Sequence, residues 1–472
     1  MGGHRLSRQR VSRYVRRTPL SAQRPQGEVA LMAAAATSGA HSSGRAVDVL
    51  ADLDARGLIH QTTDRQALAK RLESGPITVY CGFDPTAASL HVGNLLGLLT
   101  LRRLQLGGHR PIALAGGATG MVGDPSGRST ERNLLDDDAL AHNLEGIVPQ
   151  LRQFLDFDDG PYAARLLDNR AWTVGVGVLD FLRDVGKHIT VQQMVGKESV
   201  RSRLDEGDGL SYTEFSYMLL QAYDYLWLAE NVECDLQVGG SDQWGNIVLG
   251  IDLIRRRLGH AAHGLTWPLL ARSDGTKYGK TAGGDTLWLS ADAMSPYRFY
   301  QAWIGIDDVD VAKLLAQLTF LDVAEVQEIA AAHEADPGRR AGQRRLAAEI
   351  TGIVHGDAAA TAAAGASEVL FGGTASLSEV SASALAFVAA EVPSRALRAL
   401  DAPVVDVLVD AELAQSRSEA RRALAEGSVY INGDRTSDPD RLVGSNDLLY
   451  GRYVLLRRGK KRWHVATAPR SR

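Results

Sequence analysis

Between Ile77 and Arg128 the chain reads strand, break, helix, strand and glycine-rich loop, and this order constrains the fold more than any other stretch. Ile77 to Tyr80 is β-branched and aromatic, as a buried strand is. Gly82, Asp84 and Pro85 end it. Ser89 is a good N-cap, and Leu95-Leu96-Gly97-Leu98-Leu99 continues as a buried helix to about Gly107-Gly108. Pro111 to Ala115 is a second apolar strand, running into a glycine-rich loop from Gly116 to Arg128. Strand, helix, strand at this spacing is a βαβ unit, which makes the sheet parallel and the fold α/β. Cys234 to Val238 reads as a further strand, ending in Gly239-Gly240-Ser241-Asp242-Gln243-Trp244-Gly245-Asn246 before a helix through Arg257. Ligands of open α/β sheets bind beyond the carboxyl ends of the strands. The loops after Tyr80, Ala115 and Val238 should therefore face one crevice.

The residues at those ends suit a nucleotide. His91 and Asn94 are expected in a helix's first turn, three apart on one face, with Gly93 between them. A first turn offers free N–H groups and positive partial charge, which suit a polyphosphate; a plain capped helix with two solvated side chains fits the same residues. The 116–128 glycines let backbone N–H groups approach a nucleotide, or make a long turn. The loop is neither GxGxxG nor a Walker loop, because no GK[ST] follows. Asp242 is placed to take ribose hydroxyls. Tyr217, Gln221 and Asp224 fall at i, i+4 and i+7 of a helical stretch from Tyr212. On that half-buried stripe they need partners, either a small polar ligand or a core network. Lys277 and Lys280 lie in a glycine-bracketed loop from Arg272 to Gly284, where hinge motion and phosphate contact are both available.

The rest of the 472 residues implies two to four domains. Val47 to Ile59 has helical spacing with a stop at Gly57, residues 136–190 read as mostly helical, and so does Ser295 to about His355. The Ala/Gly/Ser-rich stretch Asp357–Ser376 and the prolines between Val392 and Pro403 mark a soft boundary. From about Val404 a compact piece follows. Ala411 to Ala425 reads as an amphipathic helix with Arg417, Arg421 and Arg422 on one side, Val429 to Asp434 as a strand into an Asn-Gly turn, and Leu448 to Leu456 as a strand. Gly451 to Arg472 has eight basic and no acidic side chains, Arg457, Arg458, Lys460 and Lys461 among them. A basic helix with a basic strand is an RNA-binding pattern, or a merely solvated surface.

Charge is divided accordingly. The net charge is −4, yet residues 1–45 carry eight Arg and one Glu, and residues 401–472 carry 13 basic and 10 acidic side chains. By difference residues 46–400 stand near −14, so a polyanion larger than a nucleotide should be gripped at the ends. Cys81 and Cys234 form no CxxC pair, which excludes a cysteine zinc site and a disulfide scaffold. No run of about 18 apolar residues exists, so no membrane span is expected. Residues 1–45 cannot build a core; they read as a transit peptide or as an over-long start, with the true start at Met32 or later.

Taken together, the motifs carry a resemblance. His91-Val92-Gly93-Asn94 resembles the HIGH signature of class I aminoacyl-tRNA synthetases, and Lys277-Tyr278-Gly279-Lys280-Thr281 resembles their KMSKS loop. The blocks YCGFDPTAASL, GGATGMVGDPSG, YTEFSYMLLQAYD and GGSDQWGN resemble bacterial-type tyrosyl-tRNA synthetases. The resemblance covers residues 46–472. Asn94 replaces the second His of HIGH, keeping a hydrogen-bond donor without charge, and Thr281 keeps a hydroxyl in place of Ser.

The resemblance implies a Rossmann-like parallel-sheet catalytic domain at 46–270 and a KMSKS-type loop and linker at 271–297. An α-helical anticodon-side domain at 298–375, a linker at 376–403 and a small α+β RNA-binding domain at 404–472 follow, all after the 1–45 extension. It implies a ligase that joins tyrosine to ATP as tyrosyl-adenylate and then transfers tyrosine to its tRNA. In the implied roles Thr86, His91 and Asn94, with Lys277, Lys280 and Thr281, serve the transferring phosphate. Gly93, Gly240, Asp242, Lys280, Arg128 and Arg132 bind ATP. Tyr217, Gln221 and Asp124 take the substrate ammonium, Gln243 its carboxylate, and Tyr80 and Asp224 its phenol. ATP with Mg2+ is expected as substrate, with no tightly bound cofactor and no dedicated metal site. A homodimer is implied, acting in the cytoplasm, or in mitochondria if residues 1–45 are a transit peptide.

Overall fold

A six-stranded sheet positions the site. Its strands are β1 Gln61–Thr62, β2 Thr78–Phe83, β3 Arg110–Ala115, β4 Arg165–Asp168, β5 Cys234–Gly240 and β6 His263–Trp267. Their spatial order is β1-β6-β5-β2-β3-β4. All neighbours are parallel except β1, which runs antiparallel to β6 at the edge. The chain goes one way from β2 through β3 to β4 and the other way through β5 to β6. The crevice at the carboxyl ends of β2 and β5 is thus a topological switch point. The computed structural model describes residues 48–126, 135–205, 209–273, 275–276, 278–279, 284–372 and 380–469. The 1–45 extension lies outside them.

Period-2 alternation decides what covers each face. Val79, Cys81 and Phe83 pack with α1 Val92–Leu106 and α2 Asp137–Phe154. Tyr80 points the other way, with Ile112 and Leu114, onto α3 Tyr212–Val232 and α4 Trp244–Leu258. One local expectation needs correcting. The N-cap of α1 is His91, whereas the Ser89 hydroxyl donates to the Leu90 carbonyl at 2.8 Å. Residues 136–190 are mostly helical, as expected, with β4 among them; with only two apolar residues, at a sheet edge, that strand gives a weak signal.

Helices α5 Pro296–Ile304, α6 Ala341–His355, α7 Asp357–Phe371 and α8 Ala382–Glu391 continue the larger core. Residues 357–371 of the alanine-rich stretch read as a soft boundary form helix α7. Its Ala362, Ala363 and Ala366 are buried, and such small side chains let helices approach closely. The expected 376–403 linker holds α8 and a strand, β7 Ser394–Ala396.

The C-terminal module begins with that strand. After β8 Ala402–Pro403 come α9 Val404–Asp410, α10 Arg417–Ala425, β9 Val429–Ile431, β10 Asp434–Thr436, β11 Leu442–Val443, β12 Tyr453–Arg458 and β13 Arg462–Thr467. The five-stranded sheet has the order β10-β9-β12-β13-β7, and β7 pairs in parallel with β13. The helix expected from Ala411 starts at Arg417, capped by Ser416. The strand expected from Leu448 starts at Tyr453, because Tyr450 and Gly451 take positive φ in a turn. The Asn432-Gly433 turn stands as expected, with φ of 48° and 86°. One face of this sheet, through Tyr453, Leu455 and Val465, joins the core of α8; the other, through Val454, Leu456 and Ala466, packs on α9 and α10.

Candidate active site

The carboxyl ends of β2, β3, β4 and β5 meet at a polar network reached also from α3. Asp84, one residue past β2, accepts from Tyr217 Oη at 2.8 Å and from Thr119 Oγ1 at 2.7 Å. Asn169, just past β4, donates through Nδ2 to Thr119 Oγ1 at 3.0 Å and to Asp224 Oδ2 at 2.9 Å. Trp172 Nε1 donates to the other Asp224 oxygen at 2.8 Å. On the β5 side Gln243 Nε2 donates to Asp124 Oδ2 at 2.5 Å, and Gln221 Nε2 donates to Gln243 Oε1 at 3.1 Å. Asn246 Nδ2 closes this group on Gln221 Oε1 at 2.9 Å. Tyr217, Gln221 and Asp224, the stripe on α3, therefore face the crevice.

Two glycines make room for carboxylates. A Cβ on Gly116 would strike Asp84 Oδ1, and one on Gly117 would strike Asp168 Oδ1. Tight approach of backbone to side-chain oxygen is what this part of the loop requires.

At the far end of the crevice Asp224 is 3% exposed. Burial pushes its carboxyl up to about 7 against the two hydrogen bonds it accepts. Burial, then the nearby Asp224 charge, also holds the Tyr80 phenol well above its usual value. Tyr80 Oη is buried and has no hydrogen-bond partner. An unpaired buried hydroxyl beside a buried carboxylate is costly unless a polar group comes to meet both. At the other end of the crevice Tyr217 is likewise held neutral, by burial and then by Asp84.

His91 and Asn94 form a reciprocal cap at the start of α1. Asn94 Oδ1 accepts the His91 N–H at 3.1 Å, and His91 Nδ1 accepts the Gly93 N–H at 3.0 Å. With Nδ1 accepting, the neutral ring carries its proton on Nε2 and is a donor there. A Cβ on Gly93 would press into the imidazole. Thr86 is exposed in the turn leading to this cap. Asp242 is half-buried in the loop after β5, beside Gly240, and its charge helps to raise the Cys81 thiol, which burial chiefly pushes up to about 12.

The lysine loop is tied to the same cap. Leu289 N donates to Leu90 O at 2.8 Å and Val92 N to Leu287 O at 3.0 Å, so the segment after the loop runs beside His91. Tyr278, between the two lysines in sequence, is 3% exposed and donates to Asp310 at 2.7 Å, with Arg272 over its ring at 4.6 Å. Lys277, Lys280, Thr281, Arg128 and Arg132 lie outside the described residues.

In the C-terminal module Arg421, Arg422, Lys460 and Lys461 are exposed. Arg457 lies over the Tyr430 and Trp463 rings at 4.1 and 5.1 Å. Arg417 is held by Asp406 at 2.5 and 2.8 Å, and Arg458 by Glu419 at 2.5 Å and the Leu413 carbonyl at 2.7 Å. Arg458 thus fastens the α10 side to the sheet, a structural task that its sequence position did not reveal.

Sequence reasoning missed Asp84, Thr119, Asn169, Trp172 and Asn246 as members of the site. Asp84 and Asn169 had a usable signal: each is a polar residue just past a strand's carboxyl end. Among the described residues, no group of three or more His, Cys, Asp or Glu could hold a metal ion, and no helix is long and apolar enough to cross a membrane.

The family described as tRNA synthetases class I (W and Y) matches residues 72–372, and the tyrosine--tRNA ligase SYY-like C-terminal domain matches residues 385–466. A tyrosine--tRNA ligase of Opitutus terrae is 53% identical over 422 residues, covering 88% of this chain and 99% of the relative. One of Geobacillus stearothermophilus is 46% identical over 420 residues, covering 89% and 99%. Among solved structures, a C-terminally truncated Aspergillus nidulans mitochondrial tyrosyl-tRNA synthetase matches with a TM-score of 0.62 and 31% identity, over 69% of this chain and 94% of that one. The chain belongs to the class I tRNA synthetases of the tryptophan and tyrosine type, and within them to the tyrosine--tRNA ligases.

Proposed function

We propose that the chain activates L-tyrosine with ATP and transfers it to the terminal ribose of its tRNA. The observation that carries this reading is the buried end of the crevice, where orphaned Tyr80 Oη and doubly held Asp224 lie together. A substrate phenol can donate to the Asp224 carboxylate and accept from Tyr80 Oη. An indole offers one N–H and no acceptor, so it leaves Tyr80 unpaired. The substrate ammonium sits among Tyr217, Gln221 and Asp124, with Asp84 adding a second charge, and Gln243 takes the carboxylate.

The carboxylate is already a nucleophile, so attack on the α-phosphate needs no general base. Catalysis then consists of positioning and of donors aimed at the transferring phosphate. The Nε2–H of His91 and the side chains of Thr86 and Asn94 supply donors from the α1 end. Lys277, Lys280 and Thr281 supply them from the loop, with Arg128 and Arg132 assisting. Gly93 leaves space beside the imidazole, and Gly240 and Asp242 hold the ribose. Mg2+ enters with ATP as part of the substrate.

The tRNA is gripped by the basic C-terminal module through Arg417, Arg421, Arg422, Arg457, Lys460 and Lys461. The proposed division is a catalytic body over 46–270, a loop and linker to 297, helices to about 375, and a module that opens with β7. A homodimer belongs to the same reading. Val174, Val178, Leu179, Val191 and Tyr212 are all more than 60% exposed, and the helix Val178–Asp184 has no buried residue. Exposed apolar groups in such number support burial against a second copy. The bacterial relatives support action in the cytoplasm. The test is charging of a tyrosine tRNA transcript by the purified protein. Tyrosine incorporation dependent on ATP supports the reading, and charging with tryptophan alone contradicts it.

A further inference from the structure

A cavity of about 380 Å³ opens in the C-terminal module between β7, β13 and α9, far in sequence from every crevice residue. Its rim carries Arg395, Arg398 and Arg417. Each guanidinium is oriented by the protein: Arg398 by Asp410 at 2.6 Å, Arg417 by both oxygens of Asp406, and Arg395 by the Asp410 carbonyl at 3.1 Å. Three arginines against two aspartates leave one positive charge in excess, which suits one phosphate. Buried Leu397 and Val407 make apolar walls.

Another lining group is His464, 5% exposed, whose Nδ1 has no hydrogen-bond partner. Burial and neighbouring Arg395 lower its pKa, so the ring is neutral. A neutral, orphaned imidazole between apolar walls fits the polar edge of a flat heterocycle. Single-stranded RNA offers that chemistry with a phosphate attached, because unstacked bases enter pockets and present their edges. Arg417 also begins α10, which carries exposed Arg421 and Arg422, so the cavity adjoins the proposed RNA grip.

We propose that this cavity takes one unstacked nucleotide of the bound RNA, its base against Leu397 and Val407 with an edge on His464 Nδ1, and its phosphate on the rim arginines. The assignment rests on the tRNA reading of the module. It is tested with the full-length protein and a tyrosine tRNA transcript, by photocrosslinking with peptide mapping and by titrated binding. Ala399→Trp places a ring at the exposed rim, and Arg398→Ala removes a phosphate donor. The wild type should crosslink through a single nucleotide to peptides holding residues 395–407 or 463–466. Ala399→Trp and Arg398→Ala should each lose that crosslink and bind tRNA about tenfold more weakly. The circular dichroism spectrum and melting temperature of Ala399→Trp should equal those of the wild type, which reports an intact module, and its tyrosine-dependent pyrophosphate exchange should also be unchanged. Crosslinks confined to α10 and the β12–β13 turn, with unchanged tRNA affinity in both variants, overturn the cavity while leaving the ligase reading standing. A wild type that binds no tRNA overturns both. Competition by free AMP at micromolar concentration would assign the cavity to a soluble nucleotide and overturn the RNA assignment.

Discussion

Trp172 donates its indole N–H to Asp224 Oδ1 at 2.8 Å, and the same indole stacks on Trp227 with centroids 4.2 Å apart. The stack fixes the direction of the donor, and the donor fixes the carboxylate. With Asn169 on the second oxygen at 2.9 Å, Asp224 cannot turn away from the crevice without breaking two bonds. Its remaining lone pairs are left for a ligand, and Tyr80 Oη is the orphaned group beside it.

The raised Asp224 pKa gives tyrosine binding a pH dependence. A phenol donates more strongly to the ionised carboxylate than to the acid. The apparent KM for tyrosine should therefore rise several-fold as pH falls from 8 to 6, through the value near 7. Asp224→Asn should abolish the dependence. Steady-state kinetics across that range decide it, and a flat wild-type profile would show that Asp224 is already ionised. The stability sign is the reverse of an ordinary carboxylate's. Folding holds a proton on Asp224 between pH 3.8 and about 7 that the unfolded chain has released, so its contribution falls as pH rises through this window and stays lost above it.

Asp310 anchors the loop that bears the lysines. Besides the Tyr278 hydroxyl it accepts the Ser273 N–H at 3.2 Å and faces Lys313 at 3.4 Å. Tyr278→Phe should slow adenylate formation by up to about tenfold, the loss of one modest hydrogen bond, with tyrosine affinity unchanged. Lys277→Ala and Lys280→Ala should cost more in the same step, because contacts made in the transition state govern the rate. Pre-steady-state kinetics separate rate from binding. A large loss of tyrosine affinity at an unchanged rate constant would contradict the assignment.

The module can be removed only at the right place. A cut at 404 would strand β7, whose partner is β13. A cut before Ser394 removes the sheet whole. That shortened chain should keep tyrosine-dependent exchange and lose tRNA charging. Its tRNA binding should also lose salt dependence, by about 0.7–0.9 log units per log salt for each phosphate contact removed. Equal charging by both lengths would make the basic module a bystander. Loss of exchange as well would give it a folding role through Leu385 and Val388 on α8.

The three central strands β2, β3 and β5 and the crevice at their carboxyl ends are legible in the order of strands and breaks, since ligand loops and tight turns draw on the same few residue types, and Tyr217, Gln221 and Asp224 are legible in the helical spacing. The pairing of Tyr80 with Asp224 on a phenol comes only from the resemblance to relatives. Their neighbours are not legible, for a physical reason: Asn169 and Trp172 reach Asp224 from 55 and 52 positions earlier in the chain. Only the alignment of β4 beside β3 brings them there. Asp84 was read as a strand breaker, and its carboxylate gains meaning only where Gly116 lets it approach. The alanine helix α7 hid in the sequence because composition that lacks bulk resembles a linker until its neighbours are known.

Specificity for the phenol is the central claim. Tyrosyl-tRNA synthetases as a family reject phenylalanine by roughly 10⁵ without editing. The direct measurement is amino-acid-dependent ATP–pyrophosphate exchange, with tyrosine and phenylalanine, for the wild type and Asp224→Ala. The wild type should exchange with tyrosine and reject phenylalanine, and the variant should lose about 10- to 100-fold of that discrimination, since it removes a charged hydrogen-bond acceptor. Full discrimination retained by Asp224→Ala would contradict the assignment of this carboxylate to the substrate hydroxyl.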